Sequence, residues 1–156
     1  MLDDSKLRFE LNSSILWVKK YVEKSNSKGI VIGLSGGKDS AVVLAIAVKA
    51  IGKDRVIAVS MPCHSNSKDF EDAKNVADKF GVKMLEVKLD NCYDELETEL
   101  NRKILNLDQT FEISNESKVN MKPRLRMVSL YAIAQTLEYL VIGTGNLCEA
   151  MVRLYN

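Results

Sequence analysis

Apolar residues recur at Leu7, Leu11, Ile15, Leu16, Val18 and Val22, a spacing that predicts an amphipathic helix over residues 7–24. Ser25-Asn26-Ser27-Lys28-Gly29 breaks it. The short β-branched run Ile30-Val31-Ile32-Gly33-Leu34 then reads as a buried strand. Residues 39–51 are apolar on nearly every side, the pattern of a buried crossover helix, and Gly52 ends it. Residues 55–60 (RVIAVS) predict a second strand. Residues 68–80 place Phe70, Ala73, Val76, Ala77 and Phe80 on one side of a helix closed by Gly81. A third strand is expected over 82–89 and a charged helix over 91–106. Residues 107–119 are polar with few anchors and read as a loop or lid. A helix over 121–138 and a strand over 139–142 follow, and a last helix begins near Asn146.

Strands alternating with helices of this length imply βαβ units. The expected fold is therefore α/β, a doubly wound parallel sheet flanked by helices. Ligands of such sheets bind beyond the carboxyl ends of the strands. That points to the loops at 35–40, 61–67 and 143–149.

Composition narrows the class without choosing a function. The chain has 156 residues, 46% hydrophobic and 28% charged, which suits one domain with a real core. A net charge of +1 calls for neither nucleic acid nor a membrane surface. Cys63, Cys92 and Cys148 form no C-x-x-C pair, so a structural zinc site is not expected. The odd cysteine count and the polar start MLDDSKLRFELNSS lead to an expectation of a reducing cytoplasm.

The chemistry lies in Gly33-Leu34-Ser35-Gly36-Gly37-Lys38-Asp39-Ser40, between a strand and a helix. Adjacent glycines let the backbone turn sharply and approach a ligand. Their N–H groups and the first helical turn form an anion cradle, to which Ser35 and Ser40 add hydroxyl donors. The Walker pattern G-x-x-x-x-G-K-[ST] and the dinucleotide pattern G-x-G-x-x-G are both absent. A carboxylate beside a phosphate cradle is repulsive unless a cation stands between. Asp39 therefore either binds Mg²⁺ bridging phosphate oxygens or caps the helix.

Ser35-Gly36-Gly37-Lys38-Asp39-Ser40 resembles the SGGxDS loop of the ATP pyrophosphatases. Three more segments narrow the resemblance. They are MPCHSNSKDFEDA (61–73), NMKPRLRM (120–127) and GTGNLCE (143–149). In order and spacing they are similar to segments of the ammonia-dependent NAD synthetases, over residues 10–152. The resemblance implies an adenine nucleotide alpha hydrolase-like fold. It also implies a carbon–nitrogen ligase that adenylates deamido-NAD with ATP and then amidates it with ammonia. The products would be NAD, AMP and pyrophosphate.

By position, the resemblance assigns Gly33, Leu34, Ser35, Gly36, Gly37, Lys38, Asp39, Ser40 and Thr144 to ATP, Arg124 to deamido-NAD, and Asp39 and Glu149 to Mg²⁺. A homodimer is implied as well. The bland readings stand beside these. Arg124 and Arg126 suit a solvated helix face. Glu149 suits a first helical turn, Thr144 a turn, and His64 a polar loop. Met61 and Cys63 suit a pocket or core lining. A tRNA-modifying ligase and a non-catalytic ATP-binding remnant are the rival readings. Leu147, Cys148 and Arg153 depart from the family pattern. The chain is expected to be a single domain, 1–156, truncated at its C-terminus, lacking an edge strand and with weak or no activity alone.

Overall fold

The computed structural model describes residues 3–144. Its order is α1 (Asp4–Lys24), β1 (Gly29–Gly33), α2 (Lys38–Ile51), a 3-10 turn (Lys53–Arg55), β2 (Val56–Ser60) and α3 (Ser67–Phe80). Then come β3 (Lys83–Glu86), α4 (Asp90–Leu107), α5 (Asn115–Leu137) and β4 (Tyr139–Ile142). The four strands form one parallel sheet in the order β3-β2-β1-β4. The order reverses beside β1, where the chain leaves β3 and returns as β4. That creates a topological switch point between β1 and β4.

Strand alternation divides the core into two layers. Ile30, Ile32, Val56 and Ala58 face Val18 and Val22 of α1, Leu44 and Ala47 of α2, and Ala73 and Ala77 of α3. Val31 and Val59 face the other way, toward Leu89, Tyr93 of α4 and Ala134 of α5. The doubly wound expectation holds, with helices on both faces. Ala47, Ala73 and Ala77 are fully buried, and their small side chains suit close helix approach.

Several boundaries differ for physical reasons. The loop expected at 107–119 is only the segment 108–114, because α5 already begins at Asn115. The Ser114 side chain accepts a hydrogen bond from the Ser117 N–H at 3.2 Å and caps the helix. Ile113, 9% exposed, anchors the turn before it. Pro123 sits inside α5, where the missing N–H removes one helical bond. Residue 55 is not in β2; the Arg55 guanidinium instead donates to Lys28 O and Ser27 O at 2.9 and 3.1 Å. β3 is shorter than expected and mostly exposed. α2 is not apolar-buried all round, since Val42 is 54% exposed. Among the described residues, no helix is long and apolar enough to cross a membrane.

Candidate nucleotide site

β1 delivers the chain to the switch point, and Leu34 N–H still donates to Val59 O at 2.9 Å. The next residues turn on their own hydroxyls. Ser40 Oγ donates to Gly37 O at 2.9 Å and lies 3.2 Å from Ser35 Oγ, while Gly37 N–H donates to Ser35 Oγ at 3.3 Å. Ser40 is buried and holds the turn from beneath. Gly36 has φ +80°, and an added Cβ would come 2.8 Å from Asp69 O and 2.9 Å from Asp72 Cβ. Conformation and space both exclude a side chain there.

Gly37 is the N-cap of α2, and Asp39 lies inside the first turn. The capping reading of Asp39 is therefore set aside, because a glycine occupies that position. Asp39 is exposed at the positive end of the helix, beside the cradle. Its carboxylate has no hydrogen-bond or ion-pair partner among the described residues. Its carboxylate oxygens are hard donors that suit a divalent cation, while no group of three or more His, Cys, Asp or Glu side chains gathers to hold a metal among the described residues.

A cleft of about 270 Å³ opens beyond the carboxyl ends of the strands. Gly33, Leu34 and Ser35 line it from β1, and Thr144 lines it from just after β4. Gly36, Gly37, Lys38, Asp39 and Ser40 continue from that wall into α2. Thus the structure brings Thr144 and the loop to one place, although 110 positions separate Leu34 from Thr144. Glu149 and the helix expected near Asn146 lie outside the described residues.

Arg124 is not at the cleft. Its guanidinium donates to Asn120 O one turn back at 2.8 Å and is exposed. Arg126 stands at the cleft. It is half-buried, lines the cleft, and donates from Nε to Met61 O at 3.0 Å. The sequence carried a signal for it: Arg126 shares a stripe with Leu130, Ile133 and Ala134, which pack on the sheet. Ser60, Asp69 and Phe70 also line the cleft and were not singled out for this role. Ser60 ends β2, and Asp69 and Phe70 lie in the first turn of α3.

Cys63 is 1% exposed, and burial pushes its thiol above the ordinary range, with Lys122 and Arg126 only partly opposing. An inert core thiol follows. Met61 lines the cleft and packs in the core.

A family model described as NAD synthase matches residues 10–155. The chain belongs to the NAD synthase family. An NH(3)-dependent NAD(+) synthetase of Mesoplasma florum is 41% identical over 143 residues, covering 92% of this chain and 56% of that protein. One from Thermococcus sibiricus is 40% identical over 135 residues, covering 86% of this chain and 49% of the relative. A glutamine-dependent NAD+ synthetase from Acinetobacter baumannii, solved with adenosine diphosphate, superposes with a TM-score of 0.87 at 30% identity. That superposition covers 98% of this chain and 28% of the other. The chain spans about half the length of the curated relatives it matches. The adenine nucleotide alpha hydrolase-like fold expected for an NAD synthase family member agrees with the parallel sheet and its neighbours.

Proposed function

We propose that this chain supplies the ATP-binding part of an ammonia-dependent NAD synthetase. The observation that carries the reading is the convergence of Gly33, Leu34 and Ser35, the start of the phosphate loop, with Thr144 on one cleft at the switch point. Family membership supports the choice of reaction, and the relative solved with adenosine diphosphate supports the choice of nucleotide.

The chemistry follows from the groups present. A carboxylate is a poor acyl donor. The nicotinate carboxylate oxygen of deamido-NAD attacks the α-phosphorus of ATP, the bond from that phosphorus to the bridging oxygen breaks, and pyrophosphate leaves. Ammonia then attacks the acyl carbon, the carbon–oxygen bond to AMP breaks, and the nitrogen loses a proton. NAD results. Loop N–H groups and Ser35 would bind and orient the phosphates, a mainly positional and electrostatic contribution, while Ser40, whose hydroxyl donates to Gly37 O, would act by holding the loop in shape. Asp39 and Glu149 would hold Mg²⁺, whose charge offsets that of the phosphates. Thr144 would contact ATP and Arg124 deamido-NAD. Arg126 adds a fixed positive charge to the cleft wall. A homodimer and a cytoplasmic setting complete the proposal.

The test mixes the chain with ATP, Mg²⁺, ammonium and deamido-NAD and follows pyrophosphate release. Slow release that depends on deamido-NAD, below the roughly 1–10³ s⁻¹ typical of enzymes, is expected. ATP binding with no response to deamido-NAD would replace the ligase reading with that of a nucleotide-binding module.

A further inference from the structure

His64 is the one histidine in the chain. It stands between Met61-Pro62 and Ser65-Asn66, and all four of those residues line the cleft. Its backbone has φ +50°, a left-handed conformation disfavoured for a residue with a side chain. Something must hold it there.

The holding groups come from the start of α4. Asp90 and Asp94 lie one helical turn apart and bracket the imidazole. His64 N–H donates to Asp90 Oδ1 at 2.6 Å, and Nε2 lies 2.7 Å from Asp94 Oδ1. Nδ1 is 3.5 Å from Asp90 Oδ1. The ring meets Tyr93 edge-on, with centroids 5.6 Å apart. A neighbouring stitch joins the same segments, since Leu89 N–H donates to Pro62 O at 2.9 Å. The His64 N–H bond is the leading cause holding the Asp90 carboxyl below its ordinary range. Other charges nearby are Lys88, Glu97 and Lys122, the last over the Tyr93 ring.

We infer that His64 is a positioning residue for the nucleotide cleft. The Asp90–His64–Asp94 bracket fixes the left-handed turn, and that turn sets the Met61-Pro62 and Ser65-Asn66 walls. His64 touches no reacting atom; it acts through the loop. The inference rests on the reading that the cleft takes ATP.

The test measures ATP affinity, with Mg²⁺, for the whole chain and its variants, together with the imidazole resonances of the single histidine. His64→Ala is expected to raise Kd about three- to fivefold, the scale of one half-exposed hydrogen bond to a carboxylate. His64→Gln keeps a terminal donor toward Asp94 and should stay within about twofold of the parent, since one hydrogen bond is retained. Asp94→Asn should weaken binding in the parent and add nothing in the His64→Ala background. ATP should shift the imidazole signals of the parent. Unchanged Kd in His64→Ala, or His64→Gln as weak as His64→Ala, overturns the positioning role while ATP binding by the parent stands. If His64→Ala does not fold, His64→Gln and Asp94→Asn still decide: wild-type affinity in Asp94→Asn or clear loss in His64→Gln overturns the role. A parent that binds no ATP overturns the nucleotide reading and this inference together.

Discussion

Among the described residues, the sheet runs on one flank of β1 through β2 to β3 and on the other reaches only β4. Both outer strands have four residues, yet they are built differently. β3 carries Lys83 and Glu86, charges that make an exposed edge safe. β4 reads Tyr-Leu-Val-Ile without a charge and pairs only with β1 among the described strands. Beside it, Trp17 and Tyr21 stack at 5.2 Å, and with Tyr131 they remain more than half exposed. The loops on the β2 side are interlocked by hydroxyls, carboxylates and carbonyls. The β2 flank therefore ties its loops together through its own residues, whereas the β4 flank presents, among the described residues, an apolar surface of the kind that marks an interaction site.

That contrast can be broken from either side. The largest effect is expected in the layer common to both flanks. Leu44→Ala removes a fully buried side chain and should cost about 2–5 kcal/mol in denaturant unfolding. A loss under about 1 kcal/mol would mean that α2 does not anchor the sheet. Next comes Gly36→Ala, which places a methyl group against the Asp69 carbonyl at a positive φ. About 1–3 kcal/mol of strain should appear as a rise in ATP Kd of about five- to 150-fold. Unchanged affinity would show that the turn is not part of the site.

The β4 flank should behave in the opposite way. Replacing Trp17 and Tyr131 together by Gln should leave stability within about 0.5 kcal/mol per site, as for surface positions. Hydrophobic-dye binding and concentration-dependent association should fall at the same time. A stability loss above about 2 kcal/mol would show these rings packed rather than bare.

The smallest effect concerns acid. The Asp90 carboxyl is held below its ordinary range by the His64 N–H first, with burial opposing. Its contribution is fully present above the unfolded-state pKa and is lost as pH falls through the lower folded value. Melting temperatures of Asp90→Asn and the parent should therefore converge across that acid window. A gap that widened toward low pH would contradict the sign.

The sheet is legible in the sequence because β1, β2 and β4 are short apolar runs, and the four strands expected are the four that occur among the described residues. The start of α5 was hidden. Ser114-Asn115-Glu116-Ser117 looks like loop until its hydroxyl cap is seen. Lys118 also pairs with Glu97 of α4 at 2.8 Å, a tertiary contact that composition does not disclose. In the N-terminal part of α1 the periodicity was right but the burial was not. Leu7 and Leu16 lie on its apolar face yet stay 54% and 51% exposed. The cleft was half legible. Local loop chemistry pointed to residues 33–40, the place after the last strand pointed to the loop 143–149, and the family resemblance singled out Thr144 within it. Seeing that Arg126 lines the cleft needed the helix face, and the His64 bracket joins residues 26 and 30 positions apart.

The most direct test is a calorimetric titration of the chain with ATP, with and without Mg²⁺, on the parent and Asp39→Asn. Saturable one-site binding that strengthens with Mg²⁺ in the parent, and loses that dependence in Asp39→Asn, is the expected result. No heat of binding in the parent, or the same Mg²⁺ dependence in Asp39→Asn, would contradict a nucleotide site built on this loop with Asp39 as its cation ligand.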